Sequence, residues 1–267
     1  MAATRHRTAT SPQSGRDKSG RLRSSTVDTA EIDRFSALAD AWWDPEGEFR
    51  PLHRLNPVRL AYVRDRVIGH FGLDPKARKP LDGLKLLDVG CGGGLISEPM
   101  ARLGAAITGI DAAERNIAVA AAHAAESGLA IDYRATTVED LAETGARFDV
   151  VLALEIVEHV ADPDLFLEAC GAVLKPGGVL VLSTLNRTAK AFALAIVGAE
   201  YVLRWLPRGT RDWRKFLRPS ELGAGLRRAG LELADLTGIA YNPLNDKWTL
   251  GRDLDVNYLA AAVKAKD

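Results

Sequence analysis

The sequence predicts an α/β fold in which helices cover both faces of one mostly parallel β-sheet. Three observations support this prediction. Short apolar segments alternate with helical segments through most of the chain, which is the pattern of repeated βαβ units. A cluster of glycines directly follows the first apolar segment, and an acidic residue ends the second one. We expect seven strands, the last of them antiparallel because a short link precedes it.

The predicted elements follow one another in regular order. Apolar periodicity, proline and glycine positions and capping residues set their bounds. The predicted strands are residues 84–89, 105–110, 129–135, 148–154, 179–184, 231–240 and 256–263. The predicted helices are residues 29–42, 57–71, 95–103, 113–127, 162–174 and 220–228. A turn at residues 241–243 is expected to join the last two strands.

The composition is that of a neutral globular protein. The chain has 267 residues, enough for one large domain, and its 35 basic residues balance its 35 acidic ones. This balance gives no indication of nucleic-acid binding. The sequence has no run of about eighteen apolar residues, which a membrane-spanning helix would need. Cys91 and Cys170 have neither metal-binding nor disulfide-framework spacing, so we expect a reducing, cytosol-like compartment.

Residues 1–28 differ in composition from the rest of the chain. They are basic, rich in Ser and Thr and nearly without large apolar side chains, so we expect a disordered basic tail. An organellar transit peptide is the alternative, although no apolar face precedes Leu22. Residues 29–267 are expected to form a single domain. Within it, the aromatic and basic block 49–56 is either a lid over a ligand or a layer packed on the sheet.

The glycine cluster predicts a nucleoside-containing cofactor. Four of the five positions from Gly90 to Gly94 are glycine, directly after a strand that contains Asp88. Glycine lets a ligand approach the backbone, whereas a plain turn needs one or two glycines. The spacing of Gly90, Gly92 and Gly94 is not the Gly-x-Gly-x-x-Gly of dinucleotide sites. Asp111 ends the next strand, where a carboxylate can accept both ribose hydroxyls, but this feature is common to dinucleotide and adenosylmethionine folds.

Four motifs in a fixed order separate these two cofactors. They are Asp-Val-Gly-Cys-Gly-Gly-Gly at 88–94, Gly-Ile-Asp at 109–111, Phe-Asp-Val-Val at 148–151 and Leu-Lys-Pro-Gly-Gly at 174–178. Together they resemble the class I S-adenosylmethionine-dependent methyltransferases, which have a Rossmann-like fold. The resemblance implies that the glycine loop adjoins the methionine part of the cofactor and that Asp111 holds the ribose. It also places Val138 and Glu139 along the adenine and Leu154 at the closing edge of the site.

A closer resemblance covers nearly everything after residue 29. Its segments are residues 42–49, 51–57, 155–160, 183–187 and 255–258. They are similar to the ubiquinone-biosynthesis O-methyltransferases, which methylate catechol-type hydroxyls on polyprenylated rings. This resemblance implies two substrates, a polyprenyl-benzenediol and later demethylubiquinol. It also implies that Arg59 contacts the carboxylate of the cofactor. Other enzymes of ubiquinone synthesis are possible partners.

Glu155, Glu158 and His159 are the candidate catalytic residues. They stand at i, i+3 and i+4, where the fourth strand is expected to run into a helix, so all three can face one point. Two carboxylates and an imidazole suit a divalent ion that a catechol can chelate, and the family favours a magnesium-like ion. His159 or Glu158 acting as a general base without metal is the alternative. A third interpretation is that the glutamates are residues favoured at a helix start.

Residues 186–219 are predicted to be a substrate-covering or membrane-docking insertion. The segment combines an apolar stretch with many basic residues and few acidic ones, as in helices that lie in an anionic membrane interface. The candidate contact residues are Phe192, Trp205, Arg211, Trp213, Arg214 and Lys215. A helix pair buried over the sheet and an RNA-binding patch are the alternatives. We therefore expect a cytoplasmic protein peripherally bound to the inner membrane, with the mitochondrial matrix side as the less favoured location.

Two other classes of function remain for comparison. A nucleic-acid base methyltransferase typically carries an Asn/Asp-Pro-Pro-aromatic motif after the fourth strand, whereas this chain has Leu-Glu-Ile-Val at 154–157. A non-catalytic cofactor-binding subunit of a quinone-synthesis complex does not need three convergent ligands. An S-adenosylmethionine-dependent methyltransferase of another small aromatic substrate is the alternative within the same class.

Overall fold

The structure, a computed structural model, describes residues 26–193, 212–242 and 247–266, except for the side chains at 34 and 35. Most of the predicted basic tail therefore lies outside the described residues. Two of the predicted membrane contacts, Trp205 and Arg211, lie outside them as well. Within the described ranges, no helix is both long and apolar enough to cross a bilayer.

One sheet organises the described part of the chain, with eight strands in the order β3-β2-β1-β4-β5-β8-β6-β7. The strands are β1 (Lys85–Val89), β2 (Ala106–Asp111), β3 (Asp132–Ala135), β4 (Phe148–Leu154), β5 (Leu174–Leu185), β6 (Leu231–Asn242), β7 (Lys247–Gly251) and β8 (Asn257–Lys264). Neighbours among β1 to β5 pair in parallel, while β8 is antiparallel to both β5 and β6. The α/β prediction and the antiparallel last strand are therefore confirmed.

The predicted number of seven strands is wrong. Strand β6 continues through Tyr241 and Asn242, and β7 pairs with it antiparallel, Asn242 opposite Lys247 and Gly238 opposite Gly251. Tyr241 and Asn242, predicted to lie in a turn, are therefore strand residues, residue 243 lies outside the described residues, and an additional edge strand precedes β8. Lys-Trp-Thr-Leu-Gly is too short a segment for its periodicity to predict a strand, so its pairing with β6 decides the structure.

Helices cover both faces of this sheet, because successive strand residues point to opposite sides. The helices are α1 (Thr29–Ala37), α2 (Arg50–Phe71), α3 (Ser97–Arg102), α4 (Glu114–Glu126), α5 (Val138–Glu143), α6 (Pro163–Val173), α7 (Ala189–Ala191) and α8 (Pro219–Arg228). Short 3-10 turns span Ala39–Ala41 and Trp213–Lys215. On β1, Leu86 packs in the core under α2 and α3, while its neighbour Leu87 packs in the core under α5, α6 and α8.

Helix α2 begins at Arg50, one and a half to two turns before the predicted start at 57. The prediction took Pro57 as the first helical residue, but Pro51 occupies that first turn, where a missing N–H costs nothing. Pro57 lies inside the helix. As a result Leu52, Asn56 and Arg59 lie on one continuous helix whose side chains reach the pocket described next.

Candidate active site

A pocket opens at the carboxyl ends of β1, β2 and β4, which is where open parallel sheets bind ligands. Its floor is made by the glycine loop, the end of β2, the start of α5 and the end of β4. Residues from the N-terminal part of the chain cover it, among them Glu31, Ile32, Trp42, Phe49 and Leu52. Block 49–56 therefore lies over this pocket, as the lid interpretation expects, and also packs on its neighbours.

The glycine loop needs its glycines for conformation and for space. Gly90, Gly92 and Gly94 have φ values of 69°, 53° and 90°, in the region that side chains disfavour. A Cβ on Gly90 would lie 2.9 Å from the Cδ1 of Ile156, and one on Gly92 would overlap the Trp42 ring. Gly90 and Gly92 therefore bring backbone to the pocket wall, whereas Gly94, also predicted to bind the cofactor, does not line the pocket and lies against Tyr133.

Asp111 at the end of β2 is fixed by three donors. Its Oδ2 accepts from the backbone N–H of Gly92 at 3.0 Å, and its Oδ1 accepts from Ala113 N at 2.8 Å and Asn116 Nδ2 at 3.2 Å. Asn116 in turn accepts from the Nε1 of Trp42 at 3.0 Å. Burial raises the pKa of Asp111, while the three hydrogen bonds oppose that shift. The carboxylate therefore joins the glycine loop to the covering aromatic residue.

Asp88 and Glu139 are further buried carboxyls at the same pocket. Asp88 accepts from the hydroxyl of Ser97 at 2.6 Å, and burial raises its pKa to about 7, with the charge of Asp111 adding to the shift. Glu139 is 4% exposed, next to the fully buried Val138 at the start of α5, and accepts from the hydroxyl of Thr26. Asp88, Asp111, Val138, Glu139 and Leu154, all predicted cofactor residues, line the pocket.

The covering aromatic residues form a small cluster of their own. The rings of Trp42 and Phe49 stack at 3.8 Å between centroids with 6° between their planes. Leu95 from the glycine loop side packs against them. The sequence reasoning missed Trp42, Thr26 and Asn116 as pocket residues. The Trp42-Trp43 pair is a signal that could have indicated the first of them, since it lies in a motif shared with the resembled family.

The segment after β4 is a turn, so the predicted strand-to-helix junction at Glu155 is wrong. Strand β4 ends at Leu154 and α6 begins at Pro163. Asp162 caps α6, its Oδ1 accepting from the backbone N–H groups of residues 164 and 165 at 3.1 Å. Glu155 has a φ of 54°, the one positive value of a non-glycine residue in the described part of the chain. The i, i+3, i+4 spacing therefore does not align the three candidate side chains.

Glu155 forms a buried ion pair with Arg59. The Nη2 of Arg59 lies 2.9 Å from Oε1 of Glu155, and the two side chains are 3% and 10% exposed. The same Oε1 accepts from the hydroxyl of Ser183 at 3.0 Å and from Nδ2 of Asn257 at 3.2 Å. Both members of the pair line the pocket.

Glu158 and His159 have different surroundings. Glu158 is buried and its Oε2 accepts from the hydroxyl of Thr184 at 2.8 Å. Burial and the nearby charge of Glu155 raise the pKa of Glu158, and His159 opposes that shift. The Nδ1 of His159 lies 3.1 Å from a carboxylate oxygen of Glu31, and His159 lines the pocket. Glu155 and His159 thus face the pocket, with Glu158 behind them.

Among the residues the structure describes, there is no group of three or more Asp, Glu, His or Cys side chains placed to hold a metal ion. The carboxylate of Glu155 points to Arg59, that of Glu158 to Thr184, and the imidazole of His159 to Glu31. The three side chains predicted to hold an ion are therefore near one another but do not converge.

The described part of the predicted membrane segment exposes an aromatic pair. Phe192 is 47% exposed and meets the Trp213 ring edge-on at 6.4 Å. Arg214 is exposed beside them. Lys215 does not point away from the protein, because its Nζ lies 2.8 Å from Asp28 just before α1. The predicted surface therefore consists here of Phe192, Trp213 and Arg214.

The parallel strand order, the glycine loop and the acidic end of β2 define a class I S-adenosylmethionine-dependent methyltransferase. A family model described as a methyltransferase domain matches residues 87–182. The chain is 59% identical over 251 residues to the ubiquinone biosynthesis O-methyltransferase of Parvibaculum lavamentivorans, covering 94% of this chain and 99% of that one. It is 60% identical over 242 residues to the enzyme of the same name from Chelativorans sp., covering 91% and 96%. The chain belongs to the ubiquinone biosynthesis O-methyltransferase family.

Solved structures agree on the fold. Magnesium protoporphyrin IX methyltransferase from Synechocystis PCC 6803, with bound S-adenosylhomocysteine, superposes with a TM-score of 0.61 at 19% identity and covers 89% of this chain and 99% of that one. The same protein with bound S-adenosylmethionine gives a TM-score of 0.60 at 17% identity. The predicted fold class, S-adenosylmethionine cofactor and O-methyltransferase class are confirmed.

Proposed function

We propose that this enzyme methylates catechol-type hydroxyls of polyprenylated ubiquinone precursors, namely demethylubiquinol and the earlier polyprenyl-benzenediol. The observation that carries the proposal is the high identity to ubiquinone biosynthesis O-methyltransferases over almost the whole chain. The pocket supports it, because the glycine loop that adjoins the methyl donor and the side chains of Glu155 and His159 share one cavity.

The cofactor is proposed to lie along the carboxyl ends of β1 and β2. Asp111 then accepts the ribose hydroxyls, and Val138 and Glu139 border the adenine. The guanidinium of Arg59 pairs with the cofactor's carboxylate. The 3% exposure of Arg59 favours such a pair, since charge interactions strengthen when water is excluded.

For methyl transfer itself, the protein mainly has to position the two reactants and exclude water. The methyl group moves in line from the sulfonium to a hydroxyl oxygen of the acceptor ring, and correct alignment supplies much of the rate. The acceptor has to lose its proton, because a phenol has a pKa of about 10 and is protonated near neutral pH. His159 and Glu155 are two of the titratable groups on the pocket wall, and we propose that they take or stabilise this proton.

A divalent, magnesium-like cation is part of the proposal. Carboxylates and one imidazole are donors that such an ion accepts, and Glu155, Glu158 and His159 would hold it. The Oε1 of Glu158 is buried without a hydrogen-bond partner among the described residues, which a cation would satisfy. When bound, the ion would lower the pKa of a chelated catechol. Glu155 would have to bind the ion through its Oε2, since its Oε1 contacts Arg59, and His159 would have to exchange its contact with Glu31 for the ion.

We also propose that the enzyme docks on the inner membrane from the cytoplasmic side, where polyprenylated substrates are dissolved. Exposed Phe192, its neighbour Trp213 and exposed Arg214 support this location, because aromatic and basic side chains favour an anionic interface. Contacts with other enzymes of ubiquinone synthesis would form at the same membrane.

The test is methyl transfer from labelled S-adenosylmethionine to short-chain demethylubiquinol, with and without a chelator. We expect labelled product from the wild-type enzyme and at least about a hundredfold loss in Glu155→Ala and His159→Ala. Loss of activity with chelator and recovery with Mg²⁺ support the cation. Full activity in chelator eliminates it and leaves the general base. Full activity in both alanine variants eliminates both.

A further inference from the structure

The ends of β5 and β8 carry polar side chains that the proposed chemistry does not use. Ser183 and Thr184 are fully buried near the end of β5, and Asn257 is 5% exposed at the start of β8. Leu185 lies opposite Asn257 across the two antiparallel strands, so Asn257 and Ser183 share one face of the sheet and form a polar floor there, whereas Thr184, opposite Tyr258, points to the other face. Buried polar groups cost free energy unless they make hydrogen bonds.

Two residues of this floor donate to the same atom. The hydroxyl of Ser183 and the Nδ2 of Asn257 both donate to Oε1 of Glu155, the oxygen that also meets Arg59. The backbone N–H of Glu155 donates back to the carbonyl oxygen of Ser183 at 3.0 Å. The Oδ1 of Asn257 is buried without a partner among the described residues, so the bond to Glu155 is what orients this amide.

Glu155 needs such support because of its backbone. Its φ of 54° lies in the left-handed region, which a residue with a long side chain adopts where surrounding contacts enforce it. Strand β5 fixes the backbone of Glu155, and Ser183 and Asn257 fix its carboxylate. The carboxylate in turn fixes the guanidinium of Arg59 at the pocket wall.

We propose that Asn257 and Ser183 are positioning residues that act on the cofactor through Glu155. By holding the carboxylate of Glu155, they keep the Arg59 guanidinium oriented for the carboxylate of S-adenosylmethionine. This inference rests on the proposed role of Arg59 and is independent of the acceptor substrate. Thr184 differs from them, since its hydroxyl donates to Glu158, and it is a matched control on the same strand.

The test is the affinity of the full-length protein for S-adenosylhomocysteine, measured by isothermal titration calorimetry. We expect Asn257→Leu and Ser183→Ala each to weaken binding about tenfold, the effect of losing one hydrogen bond to a charged group. Thr184→Val is expected to bind within about twofold of the wild type. Wild-type affinity in both Asn257→Leu and Ser183→Ala overturns the inference, and so does an equal loss in Thr184→Val.

A double-mutant cycle separates positioning from a general packing defect. If Asn257 acts through Glu155, Asn257→Leu adds nothing to Glu155→Gln, and the double variant binds no more weakly than Glu155→Gln alone. If the loss of affinity in the double variant equals the product of the two single losses, the inference is overturned. Should Asn257→Leu fail to fold in a thermal melt, Ser183→Ala carries the same cycle. Because the binding measurement contains no acceptor, its outcome does not depend on whether the enzyme methylates demethylubiquinol. A failed binding test likewise leaves the proposed methylation reaction unaffected.

Discussion

The guanidinium of Arg59 on helix α2 and the carboxylate of Glu155 after β4 form a buried ion pair, with 2.9 Å between Nη2 and Oε1. The pair joins the helix that covers the pocket to the turn that carries the candidate catalytic groups. Both side chains line the pocket. The ion pair therefore connects Arg59, the proposed partner of the cofactor, with Glu155, a candidate group for the acceptor chemistry.

Arg59→Gln should separate cofactor binding from stability. It removes the proposed partner of the cofactor carboxylate, so we expect at least about tenfold weaker binding of S-adenosylmethionine in calorimetry. It also leaves the charge of Glu155 buried beside no cation, which should lower the free energy of unfolding by about 3 kcal/mol in denaturant titration. The double variant Arg59→Gln/Glu155→Gln should recover stability but not affinity. Arg64→Gln, an exposed change on the same helix, is the control.

Gly92→Ala should abolish most cofactor binding. The alanine has to adopt a φ of 53°, and its Cβ overlaps the Trp42 ring. The loop or the covering Trp42 ring therefore has to move. We expect S-adenosylmethionine affinity to fall about tenfold or more, measured by calorimetry. Gly145→Ala is the matched control, since Gly145 has a φ of 77° and open space around its Cβ position. It should cost about 1 kcal/mol of stability and leave affinity unchanged. Equal affinities in both variants would contradict the role of this loop.

Asp88→Asn should stabilise the cofactor-free protein at alkaline pH. Burial raises the pKa of Asp88 to about 7 from 3.8, so the folded state binds a proton more tightly than the unfolded state. The stability contributed by Asp88 is therefore fully present below about pH 4 and is lost as pH rises through about 7.

The measurement is the free energy of unfolding of the variant minus that of the wild type, at several pH values. This difference should grow between pH 5 and pH 8 by about 3 kcal/mol, most of it below pH 7. Asp82→Asn, at an exposed site, is the matched control. A constant difference for Asp88→Asn would show that the carboxyl is ionised throughout.

Charge reversal should weaken membrane docking. Arg214→Glu combined with Arg211→Glu is expected to reduce sedimentation with anionic liposomes at least about tenfold, because each basic residue contributes about 1 kcal/mol near such a surface. Lys215→Glu has a further effect, since it also breaks the contact with Asp28. Arg227→Glu, at an exposed position of α8, is the control. Unchanged sedimentation of the double variant eliminates this docking surface.

Much of the site could be predicted from sequence because it depends on local chemistry. Gly90, Gly92 and Gly94 follow a strand, and Asp111 ends the next one, so parallel strand order alone brings them together. Val138, Glu139 and Leu154 were expected from the resemblance to the family, and the structure has them just after β3 and at the end of β4. The extra strand β7 was missed because a short edge segment has no periodicity that separates it from a turn.

The sequence by itself determined the parallel part of the sheet and the glycine loop, since apolar periodicity and glycine spacing are properties of neighbouring residues, and its motifs carried the resemblance to the family. Only the tertiary structure decided what the acidic residues after β4 contact. Spacing suggested one helical face for Glu155, Glu158 and His159, but the chain turns there with a positive φ. Arg59, Thr184 and Glu31, from three separate elements, then take one side chain each. Contacts between distant segments depend on how helices pack on the sheet, which no local pattern encodes.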